Sequence, residues 1–464
     1  MSFQMDNWNC TCGYGDIPCK MFPFIIILLQ VKIILSCDDI VETKLGKIQG
    51  FSDTGLLDTE WCSFLGIPFA KPPLGDLRFR DPVPAEPWSD VRKATNYSNF
   101  CTQYDIPYKQ PGGSEDCLYL NIFTKKIKPD QPRPVMVWIH GGAFNLGSGD
   151  NMFYGPDYYM RKDIVLVTLN YRLGIFGFLN LEDKLAPGNQ GLKDQVMALK
   201  WVRDNIASFG GDPDRVTIFG ESAGAASVHY LTLSPMTKGL FRQAIIQSGT
   251  ALNPWTQKSP NPREYASKVC ALLGKNAESP EEILQVLGSA DAIELSSLQH
   301  KVSEKTMRIS DKDLPIIDEN IENCLHPYTI NLMNEIYHLP ISELRRMYFK
   351  DDERIDKDTK DKLTDMMGDL SFVEGTHRVA RIQLQKSNTP TYLYRYEFDK
   401  NFSILKKIAK TKISGASHAD DLSSLFRYTG LERLFKLKPL EKGTDGYSLM
   451  ENMVDMWVNF ATYG

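Results

Sequence analysis

The sequence predicts an α/β fold, a mostly parallel sheet with helices packed on its faces. Short β-branched runs recur at 135–139 (VMVWI), 164–169 (IVLVTL), 216–219 (VTIF) and 244–247 (AIIQ). A long amphipathic segment separates the second from the third. Strand, helix, strand, helix is the pattern of parallel strands joined by crossover helices.

The elements follow in order. Residues 21–36, MFPFIIILLQVKIILS, are apolar but too short to span a bilayer, and Gln30 and Lys32 interrupt them. They read as a signal-peptide core, so 1–36 is expected to be a leader and 37–464 a single domain. The polar residues ahead of the core are unusual in a leader, and Met21 is an alternative start. In LKDQVMALKWVRDNIASF, Leu192, Val196, Leu199, Val202, Ile206 and Phe209 fall on one helical face. Between about 278 and 365 the pattern turns to charged helical segments with solvated faces. Residues 391–396 (TYLYRY) are expected to add a late strand.

Composition narrows the function. The chain has 464 residues, with 53 basic and 58 acidic side chains and a net charge of −5. No long basic run is present, which excludes nucleic-acid binding through a concentrated positive face. Nine cysteines suit an exported chain. Cys10, Cys12 and Cys19 lie in the leader and Cys37 at its edge, leaving five in the body and therefore a free thiol. No cysteine pair has zinc-ligand spacing backed by histidines. Sequons at Asn96 and Asn401 are expected glycosylation sites on a secreted chain; a third, at Asn9, lies in the leader.

The chemistry sits in VTIFGESAG, residues 216–224. The pattern G-x-S-x-G is short enough for chance to supply, so its context decides. Here a strand ends at Phe219, and SAGAASVHYLTL begins a helix directly after the serine. A sharp strand-to-helix turn of this kind presents the Ser222 hydroxyl at the carboxyl edge of the sheet. Upstream, the strand VMVWI runs into HGGAF, residues 140–144. The backbone N–H groups of Gly142, Ala143 and Ala223 are the expected oxyanion donors. The chain order serine, acid, histidine favours His377 or His418 as base over His140, His229, His300, His326 and His338. His377 falls inside a helical pattern. His418 stands in GASHADDL among small loop residues, and it is the expected base.

These residues resemble the carboxylesterase/cholinesterase family of α/β-hydrolases, and most of all the insect carboxylesterases. The segments FLGIPFAKPPLGDLRF, SEDCLYLNIF, VMVWIHGGAF, NYRLGIFGFLNL, GNQGLKDQVMALKWVRDNIASFGGDPDRVTIFGESAGAAS and GASHADDLSSLF carry the resemblance across most of residues 40–464. The resemblance implies an α/β-hydrolase fold and hydrolysis of a small-molecule ester through an acyl-serine. It implies no cofactor and no metal, and leaves the oligomeric state open. It also implies a disulfide between Cys101 and Cys117, and a field-tuning role for Glu221. Juvenile hormone esterases usually carry Gln at the position of Glu221, which speaks against that specialised reading.

One piece departs from the family. The catalytic acid is expected in a turn ending in Glu-Gly, yet DLPIIDE at 313–319 runs within a few residues into sequence resembling the region beyond that turn. This reads as an internal deletion that removed the acid, and the chain also stops short after MVDMWVNFATYG. Glu374 precedes a glycine but matches a later helix. Asp318, Glu319, Glu322 and Glu335 match no motif, so the acid is unassigned. Two alternatives follow, an esterase impaired by the missing acid loop and a non-catalytic, cholinesterase-like binding protein. Retention of Ser222, His418 and HGGAF argues against the second.

Overall fold

Seven strands form the central sheet: β1 Phe51–Thr54, β2 Glu60–Pro68, β3 Tyr119–Thr124, β4 Arg133–Ile139, β5 Val165–Leu169, β6 Gly211–Glu221 and β7 Gln243–Gln247. A computed structural model describes residues 37, 39–105, 109–257, 261–307 and 310–464. The expected leader lies outside the described residues.

The strand order is β7-β6-β4-β5-β3-β2-β1. The pairs β7/β6, β6/β4 and β4/β5 are parallel, whereas β5/β3, β3/β2 and β2/β1 are antiparallel. The parallel half is therefore the half that carries the predicted chemistry. Its strands read as continuous apolar runs because both faces are covered. Every residue of β4 and of β5 is buried.

Alternation along β4 divides the core in two. Val135, Val137 and Ile139 join the cluster that contains Val196, Leu199, Val202, Ile206 and Phe209. Met136 and Trp138 face the other way, into a cluster with Phe219, Phe426, Val454 and Trp457. The first cluster is closed by helix α1, Gln190–Asn205, which tightens into a 3-10 turn over Ile206–Phe209. The apolar face read from the sequence is thus the buried one, except that Leu192 is only half-buried. The second cluster is closed by the C-terminal helix, Asp445–Tyr463.

Register aligns the carboxyl ends of three strands. Gly220 pairs with Ile139 across β6/β4, and Glu221 pairs with Gln247 across β6/β7. His140, Ser222 and Ser248 therefore leave the sheet along one edge, where ligands of open α/β sheets bind.

Two expectations need correction. Residues 391–396 form no strand. Among the described residues the sheet ends at β7, and the segment makes no ladder with that edge. Tyr394 and Tyr392 instead lean on Trp457 and Phe460, at centroid distances of 5.1 and 6.2 Å. Tyr392 and Leu393 are left 71% and 58% exposed. The cysteine count also changes. Cys37 is buried and joined to Cys62 of β2, so it belongs to the body. Cys101 is joined to Cys117, and among the described residues Cys270 and Cys324 are free, in keeping with the expectation of at least one free thiol.

Candidate active site

The serine is built by a backbone that most residues avoid. Ser222 takes φ 58° and ψ −122°, at the junction between β6 and the helix Ala223–Leu233. Its N–H donates to the Gln247 carbonyl at 2.9 Å, and its carbonyl accepts from Ala226 N–H at 2.9 Å. The two flanking glycines are required by space. A Cβ on Gly224 would lie 2.0 Å from the Ile139 carbonyl oxygen, and one on Gly220 would lie 2.5 Å from the same atom.

His418 Nε2 lies 2.8 Å from Ser222 Oγ. The histidine is delivered by the loop before the 3-10 turn Asp420–Ser424, in which Ser417 N–H donates to Asp420 Oδ2 at 2.7 Å. The ring of Phe372 packs on the imidazole at 4.4 Å. Burial pushes the His418 pKa down to about 4. The imidazole is therefore neutral at pH 7, with a quarter of its side chain open to solvent.

The other histidines lie elsewhere. His140 is fully buried beneath the HGGAF loop, its Nδ1 2.8 Å from the Gly141 carbonyl and its ring stacked on Tyr171 at 4.4 Å. Burial pushes its pKa down to about 4. His229 Nδ1 accepts from Ala251 N–H, and His326 Nδ1 accepts from Tyr328 N–H. His300 stacks on Tyr104, while His338 and His377 are exposed.

Among the described residues no carboxylate takes the acid's place on the far side of the imidazole. Glu374 binds the Tyr337 hydroxyl at 2.5 Å and Arg378 at 3.1 Å. Asp318 is held by Arg345, Arg354 and the Ile355 N–H. Glu319, Glu322 and Glu335 are exposed. Among the described residues the carboxyl that reaches His418 is Glu221, with Oε1 3.1 Å from Nε2, the nitrogen that already faces the serine. Burial first, and then the charge of Asp421, raise the Glu221 pKa well above the carboxylate range.

Asp421 was not singled out from the sequence. It is buried, and burial pushes its pKa up to about 6. Gln247 Nε2 donates to its Oδ2 at 2.8 Å, and Trp457 Nε1–H donates to Gln247 Oε1 at 3.0 Å. The acid doublet that follows His418 in HADDL was the signal available.

The HGGAF loop completes the constellation. Gly142, Ala143 and Phe144 take φ of 110°, 53° and 59° in succession. Asn145 and Leu146 N–H groups both donate to the Gly142 carbonyl at 3.0 Å, and Gly174 N–H donates to the Phe144 carbonyl at 2.7 Å. A Cβ on Gly141 would stand 3.1 Å from Ser222 Cβ, which brings the loop directly against Ser222. Asn96 is exposed, whereas Asn401 is half-buried with its amide donating to Ser424 Oγ at 3.0 Å. Among the described residues, no group of three or more His, Cys, Asp or Glu could hold a metal ion, and no helix is long and apolar enough to cross a membrane.

This is an α/β-hydrolase fold with a strained serine at its usual strand-to-helix turn. The chain belongs to the carboxylesterase family, whose model matches residues 37–341 and 329–464. It is 35% identical to a juvenile hormone esterase of Tribolium castaneum, over 92% of this chain and 83% of that protein. It is 36% identical to carboxylesterase 5A of Homo sapiens, over 91% and 81%. The crystal structure of juvenile hormone esterase from Manduca sexta, with OTFP covalently attached, superposes with a TM-score of 0.79 at 29% identity, covering 91% of this chain and 90% of that one. The alignment with the Tribolium protein runs over 500 positions, more than this chain's 464, so the relative has residues that this chain lacks. The two family matches overlap over residues 329–341, just beyond the junction at 319–324 where the sequence departs from the family pattern.

Proposed function

We propose that the chain hydrolyses small carboxylic esters, xenobiotics among them, through an acyl-serine intermediate, with Ser222 as nucleophile and His418 as base. The observation that carries this is the 2.8 Å approach of His418 Nε2 to Ser222 Oγ at a strained strand-to-helix turn. The hydroxyl proton passes to Nε2 as Oγ attacks the ester carbonyl carbon. The N–H groups of Gly142, Ala143 and Ala223 receive the developing oxyanion. His418 then returns the proton to the leaving alkoxide, the alcohol departs, and the acyl group stays on Oγ. Water, deprotonated by Nε2, attacks the acyl carbon; the carboxylic acid leaves and Ser222 is restored.

The reaction is slow for its family in this reading. A carboxylate on Nδ1 holds the useful tautomer and stabilises the imidazolium, and its loss in serine proteases lowers kcat by about 10⁴. Among the described residues none bonds that nitrogen. The protein is then an attenuated esterase rather than a non-catalytic binding protein, which has no use for Ser222, His418 and the donor loop together. The two disulfides and the apolar leader support a secreted protein with one domain over 37–464, and the exposed Asn96 is the better presented of its two glycan acceptors. Glu221, where juvenile hormone esterases usually have Gln, keeps the substrate reading at small esters.

Hydrolysis of p-nitrophenyl acetate by the parent, Ser222→Ala and His418→Ala proteins tests the proposal. The parent is expected to exceed both variants by at least about 10²-fold. Equal rates in all three would overturn it.

A further inference from the structure

The oxyanion loop is braced from a distant helix. Gln299 lies on the helix Ala292–Met307, 154 residues beyond Asn145 in the chain, and is 8% exposed. Its Nε2 donates to Asn145 Oδ1 at 2.8 Å, and its Oε1 accepts from Ile175 N–H at 2.7 Å. Asn145 in turn donates from Nδ2 to the Ala143 carbonyl at 3.1 Å. The side chain is closely fitted, since a Cβ on Gly174 would lie 2.3 Å from both its amide atoms.

From this chain of bonds we infer that Gln299 is a positioning residue for the oxyanion loop. The physical reason is strain. Ala143 and Phe144 sit in the left-handed region without being glycine, so the loop does not hold its shape by local preference. The Ala143 N–H, an intended donor, keeps its aim only while the next peptide is fixed, and Asn145 fixes that peptide through its carbonyl. Asn145 has rotamers of its own. Gln299 selects one by occupying Oδ1, which leaves Nδ2 pointed at Ala143. Both amide groups of Gln299 are consumed, one on the donor loop and one on the Gly174–Phe178 turn that also caps the Phe144 carbonyl. The helix and the donor loop are thereby coupled. The inference rests on the esterase reading for its effect on rate, but not for its effect on the loop.

Gln299→Glu separates the two bonds. The carboxylate still accepts from Ile175 N–H, but it faces Asn145 Oδ1 with an acceptor. Asn145 must turn its amide round, which gives up the bond to Ala143. With p-nitrophenyl acetate, Gln299→Ala and Gln299→Glu are expected to lower kcat by about 10²-fold, the usual effect of a small misplacement of a donor. KM should stay within about twofold, because the donor acts on the transition state. Combining Gln299→Ala with Asn145→Ala should be no worse than either alone, since both break one chain. Backbone amide exchange over residues 141–147 should quicken in the Gln299 variants by more than the loss of overall stability accounts for, with exchange in β4 and β5 as the internal reference. Multiplying kcat effects, a rise in KM alone, or unchanged exchange over 141–147 would each overturn the inference. A parent protein inactive on the ester would instead count against the esterase reading, and amide exchange would still decide the role of Gln299.

Discussion

Ser222 and His418 are set by opposite means. The serine is held in a conformation that its own backbone disfavours, while the histidine is held neutral by its surroundings. Burial lowers its pKa to about 4, and among the described residues no carboxylate facing Nδ1 lifts it again. The base must be unprotonated to accept from the hydroxyl, so kcat/KM falls as the pH drops through the pKa of the free enzyme. The acidic limb of the pH profile is therefore expected near pH 4, below the ordinary histidine value of about 6.5. A limb between pH 6 and 7, measured with a neutral ester, would mean that an anion faces the imidazole. At this scale the sequence was legible where chemistry needs a motif. The glycines of G-x-S-x-G mark the close approach to the Ile139 carbonyl. Gln103 was not legible. It clamps Gly147 by two hydrogen bonds, at 2.7 and 2.9 Å, yet it belongs to no motif.

Three elements meet behind the nucleophile. The Asp420–Ser424 turn, the end of β7 and the C-terminal helix are joined through Asp421, Gln247 and Trp457. The junction contains a carboxyl whose pKa is raised from 3.8 to about 6. A raised carboxyl pKa means that the unfolded chain releases its proton first. This group's contribution to stability is thus fully present below about pH 4, declines as the pH rises to about 6, and stays lost above that. Asp421→Asn keeps an acceptor for Gln247 and removes the ionisable group. It is expected to stabilise the protein by up to about 3 kcal/mol at pH 7 and by little at pH 4, read from urea unfolding at the two values. A loss of stability at both would show that the carboxylate is needed for a bond the amide cannot make. Among the elements, α1 was readable because a 16-residue helix displays its apolar stripe several times over. TYLYRY was misread for a reason that propensity cannot contain. A strand needs a partner, and here the segment leans on the C-terminal helix instead of pairing with the edge of the described sheet.

For the whole molecule, the sheet places its chemistry at the carboxyl ends of β4, β6 and β7, and two parallel registers suffice to bring a donor loop, a serine and a supporting carbonyl together. The antiparallel half carries no part of the site and fixes the scaffold, with Cys37 tied to β2. The order of strands was not legible, because pairing depends on contacts between segments far apart in the chain. The class of fold was legible, because alternation of buried strands and amphipathic helices is a local property. We propose that this architecture, with no acid among the described residues on the far side of the imidazole, still presents Ser222 as a working nucleophile. Reaction with a small alkyl fluorophosphonate tests it most directly, since Oγ bonds phosphorus, fluoride leaves, and the product is read by intact mass and peptide mapping. One phosphonyl group per chain is expected, on Ser222, and none in Ser222→Ala. Absence of an adduct, or equal labelling of the variant, would contradict it.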